Sequence, residues 1–247
     1  MNKVINFDHA VAKVYGFDNG TDVTEYQVVI SLTNPLLTYT QQLETLVETF
    51  AQVKKEATAG ASVVFKRFFL SDASNQADEL MNYEMEAPAG ALSIIQQAPL
   101  NGTKIALWAY LATGMQTRAL ASGLYESSHG DYRHLWLASA HNNAKDSERQ
   151  TRILLNDYVM QLIGEGCSLA DNCIRTWFFV NDVDLNYNGV VKARNEVFFT
   201  QNLTDRTHFI ASTGIGGRQA DAHVLSQMDA YAISGIKKEQ VHYLYAP

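Results

Sequence analysis

Apolar and polar positions along the chain divide it into segments of two periods, near 2 for strands and near 3.6 for helices. Glu25 to Thr33 (E-Y-Q-V-V-I-S-L-T) reads as a strand, broken by Asn34-Pro35. Thr40 to Ala57 places Leu43, Leu46, Val47, Phe50 and Val53 on one helical face, with Thr40 as the N-cap. Ser62 to Leu70 is a strongly apolar strand, ended by Ser71-Asp72, and a helix follows over Asn75 to Tyr83. Ala91 to Gln97 and Lys104 to Ala112 are strands joined by a turn at Pro99–Gly102. Residues 1–20 read as an irregular lead-in or an edge hairpin, and Thr113 to Gly130 as a polar link.

Beyond the link the order recurs. Tyr132 to Ser139 is a strand, and Ser147 to Gly164 a helix with Ile153, Leu154, Val159 and Met160 at helical spacing. Cys173 to Val180 is a strand, and Val190 to Thr200 a helix with Val190, Ala193, Val197 and Phe198 as its buried stripe. Thr207 to Thr213 and Val224 to Ile233 are the last two strands. The recurrence shows in the letters as well: F-K-R-F-F-L-S-D (Phe65 to Asp72) lies over R-T-W-F-F-V-N-D (Arg175 to Asp182), and A-L-W-A-Y-L-A over Q-M-D-A-Y-A-I. Each copy reads β-α-β-α-β-β, an α+β unit with two helices packed on one face of a sheet. The boundary falls in the link, giving residues 1–120 and 121–247.

Composition narrows the function classes. Hydrophobic content of 47% and charged content of 18% suit a chain that buries a core. A net charge of −7 argues against nucleic acid as a partner, since phosphate binding needs a basic face. No apolar run approaches the roughly 20 residues that span a bilayer, and M-N-K-V-I-N-F-D-H lacks an apolar signal core, so a cytoplasmic protein is expected. Cys167 and Cys173 fit reduced thiols there; as a metal pair they lack a second pair to complete a site, so no metal is expected, and no cofactor.

The second copy carries the candidate chemistry. Arg206 precedes a strand, and its planar guanidinium suits a bidentate grip on a carboxylate. Asp229 interrupts an apolar strand; alternation places it with Gln227 and Tyr231 on one face, opposite Met228 and Ala230. A carboxylate there faces either solvent or a pocket. Ser139 ends the first strand of the copy, where its hydroxyl can orient a ligand or form a turn. His208 shares a strand face with Arg206 and is either a structural hydrogen-bonding group or a proton carrier. The first copy has Trp108 in place of Asp229, and Ala89-Gly90 near the place of Arg206. That paired difference suggests one copy for chemistry and one for packing.

The run V-N-D, then E-V-F-F, D-R-T-H-F-I-A-S and D-A-Y-A-I resembles the RidA/YjgF family of reactive-intermediate deaminases, also known as endoribonuclease L-PSP. Residues 131–235 carry the match, and residues 25–112 look like a degenerate copy. The R-T-H-F-I-A-S-T-G-I-G-G run and the tandem layout are similar to the chorismatase branch. The resemblance implies chorismate-mutase-like (YjgF-like) units, a trimeric homo-oligomer, and clefts that take a small carboxylate. It implies Arg206 as carboxylate anchor, Asp229 in the place of a water-orienting glutamate, and His208 in the place of a cysteine. Ser139-Ala140 stand where the family has a pocket-floor Ser-Gly, and Lys192 stands at a ligand-facing helix position. Asp for Glu, and Lys192 and Asn195 for Asn and Tyr, depart from the family pattern. The activity implied is hydrolytic, deaminase-like processing of a small carboxylate-bearing imine, enamine or enol ether. The alternatives are a non-catalytic binding module for carboxylate metabolites and a chorismatase-like hydrolase. The family's ribonuclease label fits poorly with an acidic chain.

Overall fold

Each half of the chain folds as a six-stranded mixed sheet with two long helices on one face. The computed structural model describes residues 2–18, 20–86 and 90–244. Unit 1 comprises Met1–Arg118 with the short stretch Gln219–Asp221, and unit 2 comprises Ala119–Arg218 with Ala222–Pro247.

Unit 1 runs β1 (Asn2–Phe7), β2 (Ala10–Asp18), β3 (Thr24–Leu32), α1 (Tyr39–Glu56), β4 (Ser62–Leu70), α2 (Ala73–Glu86), β5 (Ala91–Gln96) and β6 (Ile105–Ala112). Its sheet order is β1-β2-β3-β6-β4-β5. The parallel pair β4–β5 is bridged by α2, as a parallel pairing requires a crossover. Leu43, Leu46 and Val53 of α1 and Ala73, Ala77 and Leu80 of α2 close over Val28, Ile30, Phe68, Leu70 and Leu107 of the sheet. Within this core, Lys66 is buried and ion-paired with Glu84 of α2.

Unit 2 runs β7 (Gln116–Ala119), β8 (Tyr125–His129), β9 (Tyr132–His141), α3 (Ser147–Gly164), the single turn α4 (Leu169–Asn172), β10 (Cys173–Val180), α5 (Val183–Thr200), β11 (Ala211–Gly216) and β12 (Ser226–Ser234). Strand β7 straddles the boundary between the units, with three of its four residues before Ala119. The order β7-β8-β9-β12-β10-β11 repeats that of unit 1. The ladders align the two copies residue by residue: Arg67 opposes Trp108, and at the same place Trp177 opposes Asp229; both β4 and β10 carry an irregularity two residues earlier. The side-chain devices repeat too. Buried Gln42 of α1 accepts from Lys104 N at 2.7 Å and donates to Leu37 O. Buried Gln150 of α3 accepts from Leu225 N at 2.7 Å and donates to Ala144 O and His223 O. In each unit one glutamine thus ties the first helix to the chain entering the last strand. Gly189 lets α5 approach the start of α3, because a Cβ there would run into Ser147 Oγ.

Several expectations are corrected. Of the two readings of residues 1–20 the edge hairpin holds, as β1–β2; the polar link is the corrected one, because it holds β7 and β8, so each copy has two strands ahead of the β-α-β-α-β-β core. The N-cap of α1 is Thr38, whose side chain accepts from Gln41 N in a capping box. Helix α5 starts at Val183, seven residues early, with Asp182 capping Leu185 N. Ile153 and Met160 are exposed; α3 is turned so that Leu154, Leu155, Tyr158, Val159 and Leu162 face the sheet. Residues 207–210 are not strand, and β11 starts at Ala211. Ala89 lies outside the described residues.

Candidate functional site

The loop that carries Arg206 is built by local hydrogen bonds rather than by a ladder. Thr207 Oγ1 donates to Asn202 O at 2.6 Å and Arg206 N donates to Thr204 Oγ1 at 3.3 Å, which fixes a tight turn after α5. His208 then reaches across to α4: its Nε2 lies 2.8 Å from Ala170 O. A carbonyl only accepts, so Nε2 carries the proton and Nδ1 is the basic nitrogen of the neutral ring. The ring stacks on Tyr243 with centroids 4.2 Å apart.

Arg206 and His208 line one cavity of about 890 Å³ within unit 2. Its wall also includes Asp171, Lys237, Lys238 and Tyr243. Arg206 is exposed, while Asp171 is engaged by Ser168 Oγ at 2.8 Å. Three cationic side chains against one carboxylate already in use make this a hollow suited to an anion. Its volume fits a small metabolite.

Asp229 does not line that cavity. It is fully buried on β12, opposite Trp177, and its Oδ1 accepts from Ser139 N at 2.7 Å. Ser139 adopts φ of +52°, inside a bulge where the β9–β12 register shifts between Met228 and Ala230. A left-handed residue other than glycine is disfavoured, and the carboxylate fixes it by binding the N–H that the bulge takes out of the ladder. Gln227, two residues along, donates to Ser139 Oγ at 3.3 Å. The expected convergence of Arg206 and Asp229 on one cavity is therefore replaced by two places: Arg206 with His208 on the loop, and Asp229 with Ser139 in the sheet. Ala140 pairs with Met228 next to the bulge. Lys192 belongs to neither; its Nζ binds Glu148 at 2.9 Å on the outer side of the helices, where Glu148 also pairs with Arg152.

The helix-free face of the unit 2 sheet holds polar groups that sequence reasoning passed over. Arg175 lies over the Trp177 ring at 5.1 Å and donates to Thr213 Oγ1 at 2.9 Å. His134 Nδ1 lies 2.6 Å from Tyr231 Oη, and burial, then His129, hold its pKa down to about 4, so the ring is neutral at pH 7. Alternation along β10 from the Asp229 row was the available signal for Arg175: it shares a face with Trp177 and hence with Asp229. Nothing in the sequence marked His134. Cys167 and Cys173 are free and buried, and burial pushes the Cys173 thiol up to about 12, which makes it inert. Among the described residues no cluster of His, Cys, Asp or Glu is placed to hold a metal ion, and no helix is long and apolar enough to cross a membrane.

No protein-family model matches the sequence, and no curated protein does. Solved structures do. A chorismatase is similar over 93% of this chain and 79% of its own, at 12% identity and a TM-score of 0.58. The YjgF/YER057c/UK114-family protein Rv2704 from Mycobacterium tuberculosis is 19% identical, over 43% of this chain and 82% of its own, with a TM-score of 0.35. The YjgF gene product of E. coli is 19% identical, over 44% of this chain and 84% of its own, with a TM-score of 0.34. The chorismatase likeness shows the fold: a tandem of α+β units spanning nearly the whole chain.

Proposed function

We propose that this protein binds a small carboxylate metabolite in the cavity of unit 2, with Arg206 as the anchor. The observation that carries the reading is the pairing of an exposed guanidinium with a histidine on one cavity wall. A carboxylate on Arg206 gains a charge-assisted, bidentate contact, and Lys237 and Lys238 raise the local positive potential. Unit 1 is the degenerate copy in this reading and unit 2 the ligand-binding one. The ligand is a metabolite rather than RNA.

Hydrolytic, deaminase-like processing of an imine, enamine or enol ether is the second reading. What favours it is His208. With Nε2 fixed on Ala170 O, Nδ1 is free to take a proton from water or substrate. Asp229 serves in neither reading as the water-orienting group, because its carboxylate holds the Ser139 bulge. The chorismatase-like fold makes chorismate one substrate to try, beside 2-iminobutyrate generated in situ.

The experiment is to compare wild type, Arg206→Gln and His208→Gln in thermal shift with 2-oxobutyrate and in turnover of the two substrates. Binding alone predicts stabilisation of about 2.7 kcal/mol at 100 times the dissociation constant, lost in Arg206→Gln, and no turnover. Catalysis adds turnover that drops about 10²–10⁴-fold in His208→Gln. Neither stabilisation nor turnover, or an Arg206→Gln protein equal to wild type, overturns the reading.

A further inference from the structure

On the helix-free face of unit 2, one row of the sheet runs Arg175 on β10, Tyr231 on β12 and Trp136 on β9. The Arg175 guanidinium is held on two sides, by the Trp177 ring at 5.1 Å and by Thr213 Oγ1 at 2.9 Å from Nη2. Its Nε is buried and has no hydrogen-bond partner among the described residues. Tyr231 stacks on Trp136 at 4.3 Å, and its hydroxyl lies 2.6 Å from His134 Nδ1. His134 Nε2 is likewise buried without a partner among the described residues.

Packing accounts for the rings and not for the two nitrogens. Buried N–H groups are almost always satisfied, and an orphaned one loses its hydration with nothing in return. Two such atoms on either side of one tyrosine, on the face turned away from the unit 2 helices, are what a polar site lacking its ligand presents. Arg175 is also pre-organised: a guanidinium already stacked and anchored loses little freedom when it binds. Arg206, on an exposed loop, is not stacked or anchored in this way among the described residues. The guanidinium lies over the flat Trp177 ring, a setting that favours a planar ligand.

We propose that Arg175 is a second carboxylate-binding position, which takes a small planar carboxylate on its Nε edge, with the Tyr231–His134 pair meeting a polar atom elsewhere on the same ligand. The proposal is independent of the Arg206 cavity, which is lined by other residues.

The test uses the full chain, uniformly nitrogen-15 labelled, with benzoate as the probe. The arginine Nε–H resonance of Arg175 is assigned by its loss in Arg175→Lys. On titration with benzoate it moves and saturates, in wild type and in Arg206→Gln alike. Tyr231→Phe and Thr213→Val each weaken the apparent affinity, and Arg175→Lys, which lacks that resonance and is followed by the backbone amide shifts of residues 175–177 and 231, weakens it about 10-fold or more, as loss of a charge-assisted hydrogen bond does. Should Arg175→Lys fail to fold, Thr213→Val still tests the site, because it loosens the guanidinium without removing it. An Arg175 Nε–H that stays put up to about 50 mM benzoate, or drifts without saturating, overturns the proposal and leaves water as the partner of Nε. A shift that disappears in Arg206→Gln overturns it too, since it then reports the other cavity.

Discussion

Replacing Asp229 with alanine separates a structural carboxylate from a catalytic one. In the fold, Asp229 Oδ1 accepts the Ser139 N–H at 2.7 Å, and Ser139 sits at φ of +52°. Truncation removes a hydrogen bond to a charged acceptor, worth about 1.5–3 kcal/mol, and leaves the N–H of a bulge with no ladder partner. A left-handed residue costs about 1–2 kcal/mol and persists only when its surroundings hold it, so any relaxation of Ser139 in the variant offsets part of that loss. Together these predict a net loss of about 1–3 kcal/mol for Asp229→Ala. Asp229→Asn keeps an oxygen in place and loses about 1 kcal/mol or less. Urea denaturation followed by tryptophan fluorescence measures both. Of the three tryptophans only Trp108 lies in unit 1, so a Trp108→Phe background makes the signal report unit 2. Carboxylate binding by the folded Asp229→Asn protein stays at the wild-type level. If Asp229→Ala loses less than about 0.5 kcal/mol while Asp229→Asn abolishes binding or turnover, the carboxylate serves the ligand and the assignment to the bulge is wrong.

Four further outcomes follow from particular contacts. His134 is held near 4, from an ordinary 6.5, so between those values the unfolded chain binds a proton that the fold refuses. Stability is therefore full above pH 6.5 and falls as pH drops toward 4, by at most about 2 kcal/mol at pH 5, and His134→Gln flattens that slope in urea titrations at each pH. Gln150→Leu strands two N–H groups and two carbonyls and costs about 3–5 kcal/mol by the same denaturation assay. Glu84→Ala leaves Lys66 charged and buried in the unit 1 core and costs about 3–5 kcal/mol, whereas the double change Lys66→Met with Glu84→Leu restores much of it, as chemical denaturation will show. Lys192→Ala leaves 2-oxobutyrate binding unchanged by calorimetry, because its ammonium is occupied by Glu148 away from the cavity.

The duplication was legible in the sequence because a shared ladder demands the same pattern twice. The strands Ser62–Leu70 and Cys173–Val180 are rich in apolar residues, and their bounds match β4 and β10. The hairpin β1–β2 was legible as one of two readings of residues 1–20, whereas β7–β8 was not: β7 and β8 are short and polar, with β7 outermost in the sheet, and polar edge strands resemble loops. The phase of α3 was missed because Ile153 and Met160 are apolar yet exposed, and Leu155 and Tyr158 take the core positions instead. At the candidate site, where the named residues meet was not legible. Spacing of two suggested that Arg206 and His208 share a strand face; they share a cavity instead, through a loop closed by Thr207 and Ala170. Asp229 was placed on the correct face of β12, but its occupation by the Ser139 N–H depends on a bulge, and a bulge is a one-residue register change that alternation cannot reveal.

Isothermal titration of 2-oxobutyrate into wild type and into Arg206→Gln, both folded by their thermal transitions, tests the Arg206 cavity most directly. Saturable binding that weakens about 10-fold or more in the variant is the result predicted for a guanidinium anchor. Equal affinity in the two proteins, or no heat of binding in wild type, contradicts it.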